Sequence, residues 1–180
     1  MTDTAVKTTW AIDPTHTEVQ FKVKHLVIST VTGYFREFEG SLEAAGDSFE
    51  GASIRFSAKT GSVDTNNSQR DEHLRSDDFF NASAYPELTF QSDSFKSTGD
   101  NRFELTGDLT IRDVTKQVTL QAEYNGTMVD PWGNTKAGFE INGVINRKAF
   151  GLRWSAVTEA GGAVVSDEVR LHINVELAKQ

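Results

Sequence analysis

Cysteine is absent from this chain of 180 residues, and proline occurs only three times. Without cysteine the chain forms no disulfide and offers neither a thiolate nucleophile nor a cysteine-ligated metal site. It also lacks an apolar run long enough to cross a membrane as a helix, so no integral membrane segment is predicted. The N-terminal residues have neither the positive nor the apolar region of a signal peptide, so the expected location is cytoplasmic.

Positive charge is scarce as well. Lys and Arg total 18 against 26 Asp and Glu, which gives a net charge of −8 and a pI near 5.0. The basic residues are scattered along the chain rather than gathered in a stripe. This balance argues against nucleic acid and against anionic lipid surfaces as partners.

Phenylalanine, in contrast, is abundant. Twelve Phe residues accompany three Tyr and three Trp, so most of the aromatic rings carry no polar group. Such rings suit a dry interior. With 37% hydrophobic residues, no internal repeat and no evident linker, residues 1–180 are predicted to form a single domain.

Apolar and polar residues alternate with period two along eight segments, which predicts eight amphipathic β-strands. In the first segment, residues 18–27, the apolar face carries Val19, Phe21, Val23, His25 and Val27. The other segments lie within residues 38–43, 54–59, 88–90, 103–111, 118–124, 139–145 and 169–177. Turns rich in Gly, Asp, Asn and Pro are predicted at residues 45–47, 98–101, 130–134 and 161–162.

Eight such strands with mostly short connections form either a sandwich or a closed barrel. Long strands favour the barrel, because exposed sheet edges invite aggregation. Gly33, Gly40, Gly107 and Gly143 lie within the strand patterns, where glycine often marks the bends that a barrel needs. The predicted fold class is therefore all-β, an eight-stranded antiparallel barrel that is either filled by its own side chains or holds one ligand.

One segment interrupts the β pattern. Residues 66–78 are predicted to form the single short helix, with Ser68 as its N-cap. Asp71 and Arg75 are spaced for an ion pair one turn apart.

The predicted helix has little apolar surface of its own. Leu74 is its sole large apolar residue, so the helix has to rest on another surface. Phe79 and Phe80 follow it directly. We predict that these three side chains turn toward the barrel and close one end of it.

Ionisable residues of the same segment raise catalytic alternatives. His73 and Asp77 share a helix face, but two ligands are too few for a protein metal site. An enzyme that uses His73 and Asp71, for example on a lipid head group, remains an alternative. No nucleophile elbow and no Gly-rich phosphate loop accompany these residues. Neither a metal nor a cofactor is predicted.

Three polar residues outside the helix are further candidates. His25 lies on the apolar face of the first strand, either hydrogen-bonded within the core or holding the polar head of a ligand. Arg147 would pair either with an anionic head group or with one of the many acidic residues. His16, which follows Asp13-Pro14, is expected to organise a turn.

Several motifs occur in order along the chain. They are WAIDPTHT at residues 10–17, GYF at 33–35, RDEHL at 70–74, YPELTF at 85–90, GDLTI at 107–111 and INR at 145–147. Together they resemble the YceI-like, polyisoprenoid-binding family over about residues 8–178. The resemblance implies a lipocalin-like barrel whose pore takes a long apolar chain, and it implies a homodimer.

The leading functional prediction is non-enzymatic binding, storage or transport of a polyisoprenoid, an isoprenoid quinone or a fatty amide. The alternatives are an enzyme acting on a lipid head group and a filled barrel that serves as an interaction module. The residues predicted to contact the ligand are Phe21, Val23, His25, Phe35, Phe38, Phe56, Arg70, Leu74, Phe79, Phe80, Phe90, Leu109, Phe139, Ile141, Arg147, Phe150 and Trp154.

Overall fold

The structure, a computed structural model, describes residues 6–155 and 164–180. Within these ranges it has one α-helix, α1 Ser68–Arg75, and the strands β1 Lys7–Ile12, β2 Glu18–His25, β3 Ser29–Phe35, β4 Phe38–Ala45, β5 Ser48–Lys59, β6 Val63–Asp64, β7 Glu87–Gly99, β8 Arg102–Ile111, β9 Val114–Val129, β10 Thr135–Asn146 and β11 Val165–Lys179. Among the helices in this part of the chain, none has the length and apolarity needed to cross a membrane. The turn predicted at residues 161–162 lies outside the described residues.

The strands form one closed antiparallel ring with eight positions. Three positions are occupied by consecutive strands separated by a kink, namely β1 with β2, β3 with β4, and β5 with β6. Strands β7 to β11 occupy the other positions singly. The ring closes because β11 pairs with both β1 and β2. The predicted eight-stranded antiparallel barrel is thereby confirmed.

Pro14 explains the first kink, because it has no N–H to donate to the sheet. The Asp13 carboxylate accepts a hydrogen bond from the Thr15 backbone N–H at 3.0 Å and so begins a short 3-10 turn, Pro14–His16. His16 organises this turn as predicted, since its Nδ1 lies 2.9 Å from Asp13 Oδ2.

The first predicted strand is wrong at its end. β2 ends at His25, and Val27, which was predicted to face the interior, is 75% exposed in the following turn. Leu26 and Val27 have positive φ angles of 53° and 65°, and this conformation ends the β ladder. Alternation alone gave no signal for the turn, because Val27 continues the apolar pattern.

The two ends of the barrel differ. One end, here called the helix end, carries α1, the β2–β3 turn and the β8–β9 turn. The opposite end, here called the plugged end, is filled by aromatic rings with centroids 4.5 to 6.4 Å apart. These rings belong to Trp10, Phe49, Phe95, Phe103, Tyr124 and Phe139. Much of the excess of phenylalanine therefore serves to close one end with rings that need no hydrogen-bond partner.

The four glycines predicted to lie in strands all do so. All four face close neighbours: for example, a Cβ on Gly33 would lie 2.2 Å from Phe21 Cζ, and one on Gly107 would lie 2.5 Å from the Gln91 carbonyl oxygen. Any side chain at these positions would collide with a ring or with the adjacent strand.

The helix is shorter than the predicted 66–78, and its cap is a different residue. Asn67 is the N-cap, and its side-chain oxygen accepts a hydrogen bond from the Arg70 N–H at 3.0 Å. Ser68, the predicted cap, is the first helical residue. The predicted Asp71–Arg75 ion pair is also absent from the described residues, because the Asp71 side chain turns inward to Thr65.

Candidate ligand-binding site

The barrel encloses a cavity of about 370 Å³ that extends from the aromatic plug to the helix end. Its lining is almost entirely apolar, with inward-facing Val, Leu, Ile and Phe side chains from β2, β5 and β7 to β11. A volume of this size lies in the lower part of the range of about 300–1,000 Å³ found for small-molecule pockets. The barrel is therefore filled at one end and open inside at the other.

The segment around α1 covers the helix end of the cavity. Phe79 and Phe80 are buried, and Leu74 also lines the cavity. Phe80 packs edge-on against Phe35 of β3 with ring centroids 5.6 Å apart. Phe79 packs against Trp154 at 5.5 Å. The predicted turn of these three apolar side chains toward the barrel is confirmed by their positions.

A compact hydrogen-bond network fixes α1 to Thr65, the residue that follows β6. The Asp71 carboxylate accepts bonds from the Thr65 backbone N–H at 2.8 Å and from the Thr65 hydroxyl at 2.5 Å. Arg70 donates to the Thr65 hydroxyl at 2.7 Å and to the Thr65 carbonyl at 2.6 Å. Asp71 and Thr65 are both buried, so the helix is held by charged groups that have found partners.

Every ionisable residue that borders the cavity is basic or a histidine. They are His25, Arg70, His73 and Arg147, together with Lys24 and Arg55 at exposed strand positions, and no Asp or Glu borders the cavity in the described residues. In a chain with net charge −8 this is a strong local bias. The chemistry favours a ligand whose polar end is neutral or anionic.

Arg147 lies at the end of β10 and is only 3% exposed. Its guanidinium donates to the carbonyls of Leu152 and Trp154 at 2.7 Å, to Ser166 at 2.9 Å and to Val165 at 3.4 Å. Most of its donors are therefore committed to the backbone, where they hold the chain after β10 against the start of β11. This use of its donors leaves little for a head group.

The charge of Arg147 is only loosely balanced. Burial lowers the pKa of its guanidinium, an effect opposed by the Asp167 carboxylate 3.9 Å away. Asp167 lies closer to Lys148, at 3.2 Å. The acidic partner predicted as an alternative for Arg147 is therefore present only at a distance of 3.9 Å, and backbone carbonyls accept most of its hydrogen bonds.

The residues considered for catalysis or metal binding have separate partners. His73 Nε2 lies 2.8 Å from Asp78, and its ring packs edge-on against Trp154 at 4.8 Å. Asp77 instead accepts from Arg112 of the β8–β9 turn at 2.9 Å. Asp71 is occupied by Thr65, so these groups do not assemble into a catalytic unit.

A second charged cluster lies at the kink between β1 and β2. Lys136 Nζ is 2.8 Å from Asp13 and 3.8 Å from Glu176, and His16 Nδ1 lies 2.9 and 3.2 Å from the same two carboxylates. Hydrogen bonds from Lys136 and then His16 hold the pKa of Asp13 far below its usual range, while Asp13 raises the pKa of both partners. Three of these side chains could also approach a metal ion, but the Lys136 ammonium already lies beside the carboxylates.

The structure brings most of the predicted contact residues to this one cavity. All of them line it except Phe38 and Phe150. Phe38 stacks on Phe56 with centroids 6.3 Å apart. Phe150 belongs to the 3-10 turn Arg147–Phe150, and its buried ring packs within the core rather than on the cavity wall. For these two residues the structure gives no support for a ligand contact.

Sequence reasoning also missed part of the lining. Leu88, Leu105, Ile111 and Leu171 line the cavity, and the alternation had already placed them on apolar strand faces. Alternation shows that a side chain faces inward, but not that it reaches the cavity. Thr65, in contrast, lies in a connection without periodicity, so no pattern in the sequence indicated its contact with α1.

The fold and the cavity define a class of protein: a closed antiparallel barrel that encloses an apolar ligand pocket, as in the lipocalins. The sequence profile of the YceI-like domain family matches residues 10–177. The chain therefore belongs to the YceI-like domain family. The resemblance stated from the sequence is confirmed.

Three relatives illustrate the match. The protein YceI of Escherichia coli O17:K52:H18 is 42% identical over 165 residues, which are 92% of this chain and 83% of that protein. The crystal structure of the Campylobacter jejuni YCEI protein has a TM-score of 0.75 at 34% identity and covers 88% of this chain and 91% of that one. A polyisoprenoid binding domain from Saccharophagus degradans has a TM-score of 0.72, with 95% and 98% coverage, but only 14% identity, so it shares the fold alone.

Proposed function

We propose that this protein binds a long-chain apolar molecule inside the barrel and stores or carries it without chemical change. The observation that carries the proposal is the apolar cavity of about 370 Å³, closed by aromatic rings at one end and by α1 with Phe79 and Phe80 at the other. Each ~100 Å² of apolar ligand surface removed from water contributes about 2.5 kcal/mol before ordering costs. Binding of this kind needs no metal and no cofactor.

The ligand class we propose is an isoprenoid, with an isoprenoid quinone or a fatty amide as related possibilities. Support comes from the branched and aromatic lining and from a protein of the same fold that is described as a polyisoprenoid binding domain. The polar end of the ligand would lie near His25 and Arg70 at the helix end. Arg147 would contribute mainly by holding the backbone there, since its donors go to carbonyl groups.

His25 is the better head-group candidate of the two. It lines the cavity at the end of β2, and within the described residues its imidazole makes no hydrogen bond. Arg70 already donates to Thr65 with two of its nitrogens. A ligand oxygen would therefore satisfy His25 at little cost to the existing network.

Native mass spectrometry tests this proposal directly. The protein, purified without detergent and incubated with geranylgeraniol, should carry one isoprenoid per chain. The variant Ile173→Trp adds bulk to a residue that lines the cavity and should raise the dissociation constant by about tenfold, equivalent to about 1.4 kcal/mol. Asn174→Trp is the matched control, because the adjacent side chain is exposed, and it should bind as the wild type does.

Three results would contradict the proposal. Wild-type protein that never retains an isoprenoid would show that the cavity does not serve such a ligand. A change in the mass of the ligand after prolonged incubation would show that the protein acts as an enzyme on it. Equal loss of binding in Ile173→Trp and Asn174→Trp would place the ligand elsewhere.

The homodimer and the cytoplasmic location remain predictions. Light scattering during size-exclusion chromatography gives the mass in solution, for which we expect two chains. Fractionation of cells of the source organism tests the location.

A further inference from the structure

The turn between β2 and β3 combines exposure with an unfavourable backbone. Leu26, Val27 and Ile28 form its tip and are 38%, 75% and 84% exposed. The Ile28 N–H donates to the His25 carbonyl at 3.2 Å, so Leu26 and Val27 are the central residues of the turn. Both have positive φ, at 53° and 65°. Turns of this geometry favour Asn-Gly, and positive φ is rare for bulky and β-branched residues.

These three residues are here called the apolar tip. Their exposed apolar surface contributes nothing to stability through burial, and the positive φ angles at Leu26 and Val27 cost stability. Strain of this kind is retained where the segment has a function. The fold itself does not require it, because an Asn-Gly pair would form the same turn.

The apolar tip adjoins the cavity. His25, the residue before it, lines the cavity, and so does Val165, which pairs with His25 across the sheet. The Leu26 N–H donates to the Val164 carbonyl at 2.9 Å. The apolar tip thus lies directly beside residues that line the cavity.

The barrel wall behind the apolar tip carries positive charge. Lys22 and Lys24 alternate outward along β2, and Arg170 of β11 is the register partner of Lys22. One acidic residue, Glu168, lies two positions before Arg170 on the same outward face of β11. Although the whole chain has a net charge of −8, this patch is therefore positive and suited to phosphate groups.

We propose that the apolar tip inserts into the surface of a phospholipid bilayer, with Lys22, Lys24 and Arg170 facing the lipid phosphates, so that the mouth of the barrel rests on the membrane. Small apolar elements beside basic residues bind bilayer interfaces in this way. The purpose of this membrane contact rests on the proposed function: it would let a water-insoluble ligand pass between the bilayer and the cavity. The net negative charge of the whole chain disfavours anionic lipid on average, but this face is positive.

The test is flotation with vesicles of phosphatidylcholine containing one quarter phosphatidylglycerol. Wild-type protein should float with the vesicles. The double variant L26N/V27G keeps the turn, removes two of the three apolar side chains of the tip and relieves the strain, so it should bind at least about tenfold more weakly while being at least as stable to urea. Trp132→Ser is the matched control, because Trp132 is 83% exposed in the β9–β10 turn at the plugged end. It should float as the wild type does.

Failure of wild-type protein to float, or equal flotation of L26N/V27G, would overturn the proposal. A wild-type dimer that dissociates in L26N/V27G, without vesicle binding, would also overturn it by showing that the tip contacts a second copy of the chain. Loading with geranylgeraniol from detergent separates this proposal from the proposed function. L26N/V27G should retain the ligand as well as wild type, whereas failure of the proposed function would leave both empty.

Discussion

At the scale of single residues, Gly107 shows how closely the strands approach one another. A Cβ at this position would lie 2.5 Å from the Gln91 carbonyl oxygen and 2.8 Å from Ser92 Cα, both backbone atoms of the neighbouring strand. We therefore expect Gly107→Ala to lower the free energy of unfolding by about 1–3 kcal/mol, because backbone atoms cannot move aside as a flexible side chain can. Urea denaturation monitored by circular dichroism measures the change.

Gly99→Ala provides the control for that substitution. Gly99 is the last residue of β7, the strand that pairs with β8, and it has no positive φ and nothing within 4 Å of an added Cβ. Its effect should stay within about 0.5 kcal/mol. Equal destabilisation by the two substitutions would show that loss of glycine itself, and not the close approach at Gly107, is responsible.

Some residue roles could be predicted from the alternation of apolar and polar residues, and others could not. Phe21, Phe90 and Phe139 were predicted to face the interior from alternation, and each lines the cavity. The pairing of Asp71 with Thr65 depends on how a loop folds back on a helix, and no local pattern contains that information. The roles of charged residues were accordingly the least predictable, because each charge has several partners within reach.

At the scale of elements, substitutions can distinguish the two candidate N-cap residues of α1, Asn67 and Ser68. Asn67→Ala removes the side-chain oxygen that accepts from the Arg70 N–H and should cost about 1 kcal/mol of local helix stability. Hydrogen exchange measured by mass spectrometry should show about fivefold faster exchange over residues 68–75. Ser68→Ala should leave exchange unchanged, because the Ser68 hydroxyl caps nothing among the described residues. The reverse ranking would show that Ser68 is the cap in solution.

Element boundaries were less predictable than element types. The alternation correctly identified the long strands, but it continued β2 through Val27, since an apolar residue in a turn looks like an apolar residue in a strand. The kink at Pro14 also hid β1, which is short. Its only buried side chain is Trp10. These errors occur where the backbone changes direction, and hydrophobic pattern carries no information about that change.

At the scale of the whole molecule, closure of the barrel follows from strand number and amphipathicity, whereas the size of the cavity does not. Phenylalanine content was compatible with a filled barrel or with an open one. The structure shows why the sequence left both open: rings such as Phe49 and Phe95 gather at one end, so the other end keeps a cavity. How side chains distribute along the barrel axis depends on register between strands that are far apart in sequence.

Closure of the ring also has a pH dependence that can be measured. Asp13 of the β1–β2 kink contacts Lys136 of β10 and lies in one cluster with Glu176 of β11, so it links the strands where the barrel closes. These contacts hold the pKa of Asp13 far below its usual range in the folded protein. A carboxylate with a lowered folded pKa stabilises the fold above its unfolded pKa of about 4, and this stabilisation is lost as the pH falls below that value. The free energy of unfolding of wild type should therefore exceed that of Asp13→Asn most at neutral pH, and the difference should shrink between about pH 4 and pH 2.

His16 should give the opposite trend, because its hydrogen bond to Asp13 raises the pKa of the imidazole in the folded protein. A group with a raised folded pKa stabilises the fold below its unfolded pKa of about 6.5, and this stabilisation is lost as the pH rises through the folded value. The advantage of wild type over His16→Asn should thus be largest in mildly acidic buffer and fade toward alkaline pH. Urea unfolding across the pH range measures both differences. Parallel curves for wild type and the two variants at every pH would show that the cluster does not stabilise the closure, whereas opposite slopes would establish that Asp13 and His16 act as a charged pair at the seam of the barrel.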